Sequence, residues 1–350
     1  MTDRTMSSPG PAEGSQTVPV RASRGPWATA LRKLLQDRAA LAALSLFLLV
    51  ALACLLAPVY AEYVTKIDPF RSNLSGQISV GGATVPVMQP STEGLGLGFT
   101  PIGPTWDLWA YFLGADGQGR DVAARLLYGG RNSLLIAGLA TVLCLALATV
   151  IGLAAGFFGG VVDWFLSRLL DVLWAFPVYL LAISLSIVLI SHGIEIGPFT
   201  IESGSLSLPV FVIGIIYVPY VARPIRGQVL SLTRSEFVLA AIGLGVPSYR
   251  ILFRDILPNV MTTLIVFVPL LMAINMLTES ALSFLSVGVQ APDASWGTII
   301  QDGQGLLYSR PMVALAPGIA IVVTVLALNI LGDGVRDALD PRSKLRIRTA

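Results

Sequence analysis

The chain has 350 residues, of which 54% are hydrophobic and only 13% charged, with a mean hydropathy of +0.75 and a formal net charge of +2. A soluble domain carries roughly a quarter of its residues as Asp, Glu, Lys or Arg. A water-soluble fold is therefore excluded, because it could not hide this much apolar surface, and a lipid bilayer is the natural solvent.

Residues 1–25 are rich in Pro, Ser, Gly and Thr and contain no apolar core, so they read as a disordered cytoplasmic tail and not as a signal peptide. Residues 26–38, PWATALRKLLQDR, mix Trp27, Leu31, Leu34 and Leu35 with Arg32, Lys33 and Arg38 at helical spacing. That pattern predicts an amphipathic helix lying in the membrane interface. The apolar run 39–61 is too long for a signal-peptide core and predicts a retained first span. Residues 62–131 then form a long extracytoplasmic loop. Its stretch 72–92 is free of charge but crowded with Ser, Thr, Gln, Gly and Pro, which hydrocarbon would not satisfy, so it reads as loop with some strand character.

A charge at the bilayer centre costs at least about 2.5–3.5 kcal/mol, so spans appear as charge-free gaps. Five more gaps qualify, at 132–162, 172–194, 203–222, 256–278 and 311–332, giving six transmembrane helices. Placing the N-terminus inside leaves only Lys66, Arg71, Arg120, Arg125, Arg131 and Arg310 outside, out of 23 basic residues. This bias puts both termini, the 163–171 turn and the 223–255 loop in the cytoplasm. The tail 333–350 ends in the basic run RSKLRIR (342–348), suited to anionic headgroups or to a soluble partner.

Few residues in this chain suggest chemistry of their own. Cys54 and Cys144 lie inside apolar runs and read as core residues. His192, the single histidine, ends an apolar run, and no cysteine–histidine cluster is present to hold a metal. None of the three lysines, Lys33, Lys66 and Lys344, follows a glycine, so no phosphate-binding loop exists and ATP chemistry must reside elsewhere. Asp163, Arg168 and Asp171 read as a helical ion-pair group at headgroup level, with a part in moving substrate or protons as the alternative. Asn275 and Glu279 lie towards the outer end of the fifth span. Either they face a pore or an outer gate, where Glu279 would meet a cationic group of the cargo, or Glu279 is a hydrogen-bonded structural acid. Trp106, Trp109 and Trp296 read as aromatic-belt anchors, and the turn of Gly114, Asp116, Gly119, Arg120 and Asp121 as structural.

The most informative stretch is 234–259, RSEFVLAAIGLGVPSYRILFRDILPN. Good helix formers from Phe237 to Ala241 are followed by Gly243 and Gly245, which end the helix. Pro247 begins a second helix, and Pro258 stops it and turns the chain into the fifth span. Such an elbow presents a firm knob to a soluble partner; an amphipathic interfacial stretch is the plainer reading.

This segment resembles the coupling loop of ABC-importer permeases, in which an alanine pair is followed four residues later by glycine and then by leucine-proline, as in Ala240, Ala241, Gly245, Leu257 and Pro258. The match is fuller with the oligopeptide/dipeptide class, whose pattern EFVxAAxxxG…IxxRxILPN is met at Glu236, Phe237, Val238, Arg254, Ile256 and Asn259. It departs at Leu239, where an acidic residue would stand, and at Ile242 and Asp255. Four other segments resemble the C-type permease of that class: LGADGQGRDVAARLLYGGRNSLL (113–135), DWFLSRLLDVLWAFP (163–177), ESALSFLSVGVQAPDASWG (279–297) and LNILGDGVRDALDPR (328–342).

The resemblance implies an all-α integral membrane protein of the type I ABC-importer permease fold, with a permease core over 132–332 and a coupling loop over 230–258. It implies half of a peptide translocation pore with no catalysis or cofactor of its own, ATP and Mg being held by partners. Those partners would be a second homologous permease, two cytoplasmic ATPase subunits and an extracytoplasmic substrate-binding protein, within a lipid bilayer and without nucleic acid. Arg250 and Arg254 would add polar contacts at the rim of the elbow. Nickel or another small solute is the alternative cargo. An ion-coupled secondary transporter would need ionisable residues in mid-membrane, and the six gaps hold none besides His192.

Overall fold

The computed structural model describes residues 26–80, 82–91, 97–196, 199–202 and 204–340. The predicted tail 1–25 and the basic run 342–348 lie outside the described residues. Helix α1 (Pro26–Leu34) leads to α2 (Arg38–Leu55), whose N-cap Asp37 accepts the backbone N–H groups of Ala39 and Ala40 at 2.9 and 3.3 Å. A short turn, α3 (Ala57–Val59), runs into a π-turn over Tyr60–Thr65. Two antiparallel hairpins follow, β1 (Gln77–Val80) with β2 (Ala83–Pro86), and β3 (Met88–Pro90) with β4 (Phe99–Pro101). Then come α4 (Val122–Phe158), α5 (Gly160–Ala175), α6 (Val178–His192) and a third hairpin of β5 (Ile194–Ile196) and β6 (Phe199–Ile201). The chain continues through α7 (Ser207–Ile216), α8 (Val218–Leu232), α9 (Glu236–Gly243), α10 (Ser248–Arg250) and a π-turn over Ile251–Ile256. It closes with α11 (Leu257–Phe284), α12 (Trp296–Gly303) and α13 (Met312–Leu339).

Four segments are long and apolar enough to cross a membrane unbroken: α2, α4, the run from Ser248 to Phe284, and α13. Two bent pairs, α5–α6 and α7–α8, bring the number to six when each pair is counted as one span. The first pair bends by 91° at Phe176–Pro177. Proline disfavours a helical conformation in the residue before it, and Phe176 is extended at φ −91, ψ 141. The second pair bends by 43° at Tyr217, ahead of Pro219.

Several boundaries differ from the charge-gap count. The helix of the second span begins at Val122 rather than 132. The predicted 163–171 turn is helical, and the fourth span continues to Leu232 as α8. In both places a charged helical turn is satisfied by a neighbouring helix, so the helix outlasts the apolar gap. The strand character expected near 72–92 is present, whereas β5–β6 and α12 were not predicted.

The main core lies where α4 packs on α7, α8 and α11. Gly152 and Gly156, four residues apart on α4, admit Ile225 and Val229 of α8. An added Cβ at Gly152 would approach Ile225 Cγ2 to 2.6 Å, and one at Gly156 would approach Val229 Cβ to 2.7 Å. Small residues at this spacing let membrane helices approach closely, since lipid offers no hydrophobic drive for association. The α4–α8 contact thus fixes the stem from which the elbow grows.

Candidate functional site

The elbow begins where α8 ends. Ser235 Oγ donates to the Leu232 carbonyl at 2.5 Å, and α9 starts at Glu236. Its far end is a Schellman closure: Val246 N–H donates to Ala241 O at 3.1 Å and Gly245 N–H to Ile242 O at 2.9 Å. Gly245 carries the left-handed backbone that this closure demands, at φ +74, and open space surrounds its Cα. Ala241 and Val246, the apolar pair that accompanies the motif, both pack against the main core.

Pro247 is the N-cap of α10 rather than its first helical residue. Pro258 does not end the second arm. The helix runs from Ser248 into α11 without a break. A proline inside a helix lacks its N–H and crowds the carbonyl four residues back. Here the preceding turn widens to π geometry, Leu257 N–H reaching Leu252 O, and Asn259 Nδ2 donates to Asp255 O at 2.6 Å. The second arm of the elbow and the fifth span are one continuous rod.

Val238, Ile251, Leu252 and Ile256 are buried and seat the elbow on the bundle. The outward surface is apolar: Phe237, Leu239, Ile242, Leu244, Tyr249 and Phe253 are all exposed, Leu244 at 83%. Each such side chain gains about 1.5–3 kcal/mol on full burial, so this face is built to be covered. Glu236, Ala240, Arg250, Arg254 and Pro258 are also exposed, whereas Ala241 and Leu257 are half-buried. The departures Leu239 and Ile242 thus fall on the exposed face and enlarge its apolar part.

Asn275 and Glu279 stand apart from the elbow. Glu279 lies 22 residues beyond Leu257, about 33 Å along α11 at 1.5 Å per residue. Both side chains are fully buried. Asn275 Nδ2 donates to Thr141 Oγ1 on α4 at 2.9 Å, and its Oδ1 has no partner. Glu279 accepts from Ser283 Oγ at 2.7 Å and Ser280 Oγ at 3.4 Å, and the hydroxyls of Ser133 and Ser295 also close on it. Of the two roles open to Glu279, the geometry supports the structural acid: in this conformation the carboxylate ties α11 to α4 and to the start of α12.

Two further charged groups organise the ends of the bundle. On the side opposite the elbow, Arg120 binds Asp116 at 2.7 Å and Asp302 at 2.8 Å, and Arg125 binds Asp302 at 2.9 Å. Asp121 caps α4 through Ala123 and Ala124 and also accepts Tyr111 N–H at 2.9 Å. Burial pushes its carboxyl above the ordinary range, opposed by these backbone donors. Gly119, at φ +75, lies so close to Asn73 that a Cβ would collide with that residue's carbonyl. The LGADGQGRDVAARL stretch is therefore a structural clasp. On the elbow side, Asp163 of α5 takes a bidentate grip from Arg226 of α8 at 2.5 and 2.7 Å, and Asp171 pairs with Arg223 at 2.9 Å. These partners lie across helices; Arg168 and Asp171, at 3.6 Å, are the only pair within α5 among the described residues.

The sequence singles out the elbow, Asn275 and Glu279. It misses Asp302 as the counter-charge to Arg120 and Arg125, the serines around Glu279, and the Tyr217–Thr278 hydroxyl pair at 2.8 Å. A local pattern carries no mark of Asp302, Ser133, Ser295 or the Tyr217–Thr278 pair, because each of these joins residues well separated in the chain; Ser280 and Ser283, one and four residues beyond Glu279, are the local exceptions.

The family described as "Binding-protein-dependent transport system inner membrane component" matches residues 148–345, and "N-terminal TM domain of oligopeptide transport permease C" matches residues 25–75. The dipeptide transport system permease protein of Alkalihalophilus pseudofirmus is 33% identical over 91% of this chain and 91% of its own length. The oligopeptide transport system permease protein of Escherichia coli K12 is 35% identical over 92% and 93%. The glutathione transport system permease protein of Pectobacterium atrosepticum is 32% identical over 94% and 96%. A solved structure of the MetNI methionine ABC transporter in inward-facing conformations is 15% identical, covers 62% of this chain and 96% of its own, and has a TM-score of 0.49. On the family match over residues 148–345 and the sequence identity to these three permease proteins, the chain belongs to the family of inner-membrane components of binding-protein-dependent transport systems.

Proposed function

We propose that the chain is the permease subunit of an ATP-driven peptide importer, forming half of the pore and coupling to ATPase subunits through the elbow. The observation that carries this reading is the unbroken rod from Ser248 to Phe284. An ATPase that grips the exposed apolar face of the elbow holds one end of a lever whose other end is a membrane span. Packed helices move as rigid bodies between discrete states, so ATP-driven closure of two ATPases tilts α11 and switches the pore between inward-open and outward-open forms. The three relatives are named for dipeptide, oligopeptide and glutathione transport, which makes peptides the cargo class. The Lys/Arg bias puts the elbow in the cytoplasm and the 62–131 loop outside, where a substrate-binding protein delivers cargo. A second, homologous permease completes the pore, and Mg-ATP stays with the partners because this chain has no phosphate loop.

Affinity purification of the tagged chain from native membranes tests this reading. A second permease and an ATPase should accompany it, and the complex in liposomes should hydrolyse ATP faster when peptide-loaded binding protein is added. Recovery of the chain without any ATPase, or ATP hydrolysis by the chain alone, contradicts it.

A further inference from the structure

At the end of the bundle opposite the elbow, the first span gives way to loop in an unusual manner. The helix widens into the π-turn Tyr60–Thr65 and stops on Lys66, a non-glycine residue held left-handed at φ 55. π-turns and left-handed non-glycine residues are uncommon and gather at functional positions. The chain then folds back, Asp68 Oδ1 accepting Phe70 N–H at 2.9 Å. Between this turn and α4 opens a cleft of about 580 Å³ whose lining includes Glu62, Lys66, Asp68, Phe70 and Tyr128. The Phe70 and Tyr128 rings meet edge to face with centroids 5.1 Å apart. Glu62, Lys66 and Asp68 are exposed and form no ion pair among the described residues. Arg131, exposed and outside the lining itself, stands three residues from Tyr128 on the same side of α4, at the edge of the cleft wall.

The cleft therefore offers both signs of charge on an aromatic wall, which suits a zwitterion. A free peptide and an aminophospholipid headgroup share that chemistry. The surface leading away from the cleft separates them. Leu49 and Leu52 on α2 with Leu56 at its C-cap, and Leu135, Leu139 and Val142 on α4, are exposed at helical spacing. α2 leads through α3 into the π-turn, and Leu135 and Val142 stand at successive seven-residue steps from Tyr128 on one face of α4, so each stripe follows a span away from the cleft, as acyl chains require. The geometry points to a binding site for a phospholipid with a primary-amine headgroup, in the leaflet opposite the elbow. Its phosphate is held by Lys66 and Arg131, its ammonium by Glu62 and Asp68, and its glycerol lies on Phe70 and Tyr128. A primary ammonium brings three N–H donors to the two carboxylates, whereas choline brings none. The site thus prefers phosphatidylethanolamine to phosphatidylcholine, and prefers both to phosphatidylglycerol, which has no cation.

Native mass spectrometry of the full chain, purified and exchanged into micelles doped with each of these three lipids, tests the site. The wild type should retain phosphatidylethanolamine, and Lys66→Glu combined with Arg131→Glu should lower retention by at least about tenfold, a 1.4 kcal/mol change. Lys66→Arg should bind as the wild type does, which separates loss of the site from loss of the fold. Equal retention of phosphatidylcholine, undiminished retention by the double variant, or displacement of the lipid by millimolar dialanine overturns the proposal.

Discussion

Gly245 is the position where the elbow is most open to a clean test. Its backbone is left-handed at φ +74, and an added Cβ meets nothing within 4 Å. A substitution there creates no clash within this chain, so its whole cost is conformational. An L-residue other than glycine pays about 1–2 kcal/mol in this region, while asparagine visits it routinely. The Schellman closure holds the angle between α9 and the second arm, and 1–2 kcal/mol shifts such an equilibrium by about 5–30-fold. Gly245→Val should therefore lower the initial rate of peptide uptake by at least about fivefold in membrane vesicles, with permease and ATPase still assembled. Gly245→Asn, similar in bulk, should stay close to the wild type. Uptake and co-purification measured on the same membranes separate coupling from assembly. Equal loss in the two variants would mean that bulk against the partner, not the backbone angle, matters, and normal uptake by the valine variant would refute the hinge.

Glu279→Ala leaves the hydroxyls around a buried site without their acceptor and opens a cavity, so it should lower the stability of the purified chain by about 3 kcal/mol; a melting curve unchanged from the wild type contradicts the structural assignment. Asn275→Leu removes an amide whose Oδ1 is already unpartnered, and Thr141 still donates to Ala137 O at 2.7 Å, so stability should stay within about 1 kcal/mol of the wild type. Loss of uptake by that stable variant would place Asn275 in the transport path, whereas a large drop in melting temperature would show that the Thr141 bond carries more than this reasoning gives it. Asp163→Arg and Arg226→Asp should each loosen α5 from α8 by about 1–2 kcal/mol, and the double exchange should recover at least half of that; independent, additive losses would rule out the bidentate pair.

Much of this architecture is legible in the sequence, and the misses have a shared physical origin. Apolar gaps locate spans because charge in hydrocarbon is expensive, but a helix does not end where its apolar run ends. α5 carries Asp163 in its first turn and Asp171 near its end because Arg226 and Arg223 of α8 lie opposite them, and α8 extends for the same reason. The elbow is readable since the Schellman glycine and its apolar neighbours are local in sequence. Pro258 misled because proline more often ends a helix than follows a π-turn, and whether Ile251–Ile256 widens depends on how their side chains seat on the bundle. Glu279 kept two roles open in the sequence because Ser280 and Ser283 are local to it but Ser133 of α4 and Ser295 before α12 are brought to it only by the fold.

If coupling runs through the continuous helix, the elbow's second arm and the fifth span move as one body. Ser248 at the start of the arm, Leu277 on α11 and Leu48 on α2 are exposed, and Ser248 lies outside the apolar face offered to the ATPase, so all three accept spin labels without disturbing the core. Pulsed electron–electron resonance on the assembled transporter, with and without trapped ATP, should give a 248–277 distance that stays fixed and a 248–48 distance that changes. A 248–277 distance that shifts between the two states, with 277–48 unchanged, would show that the rod bends at the π-turn and that the elbow does not drive the span.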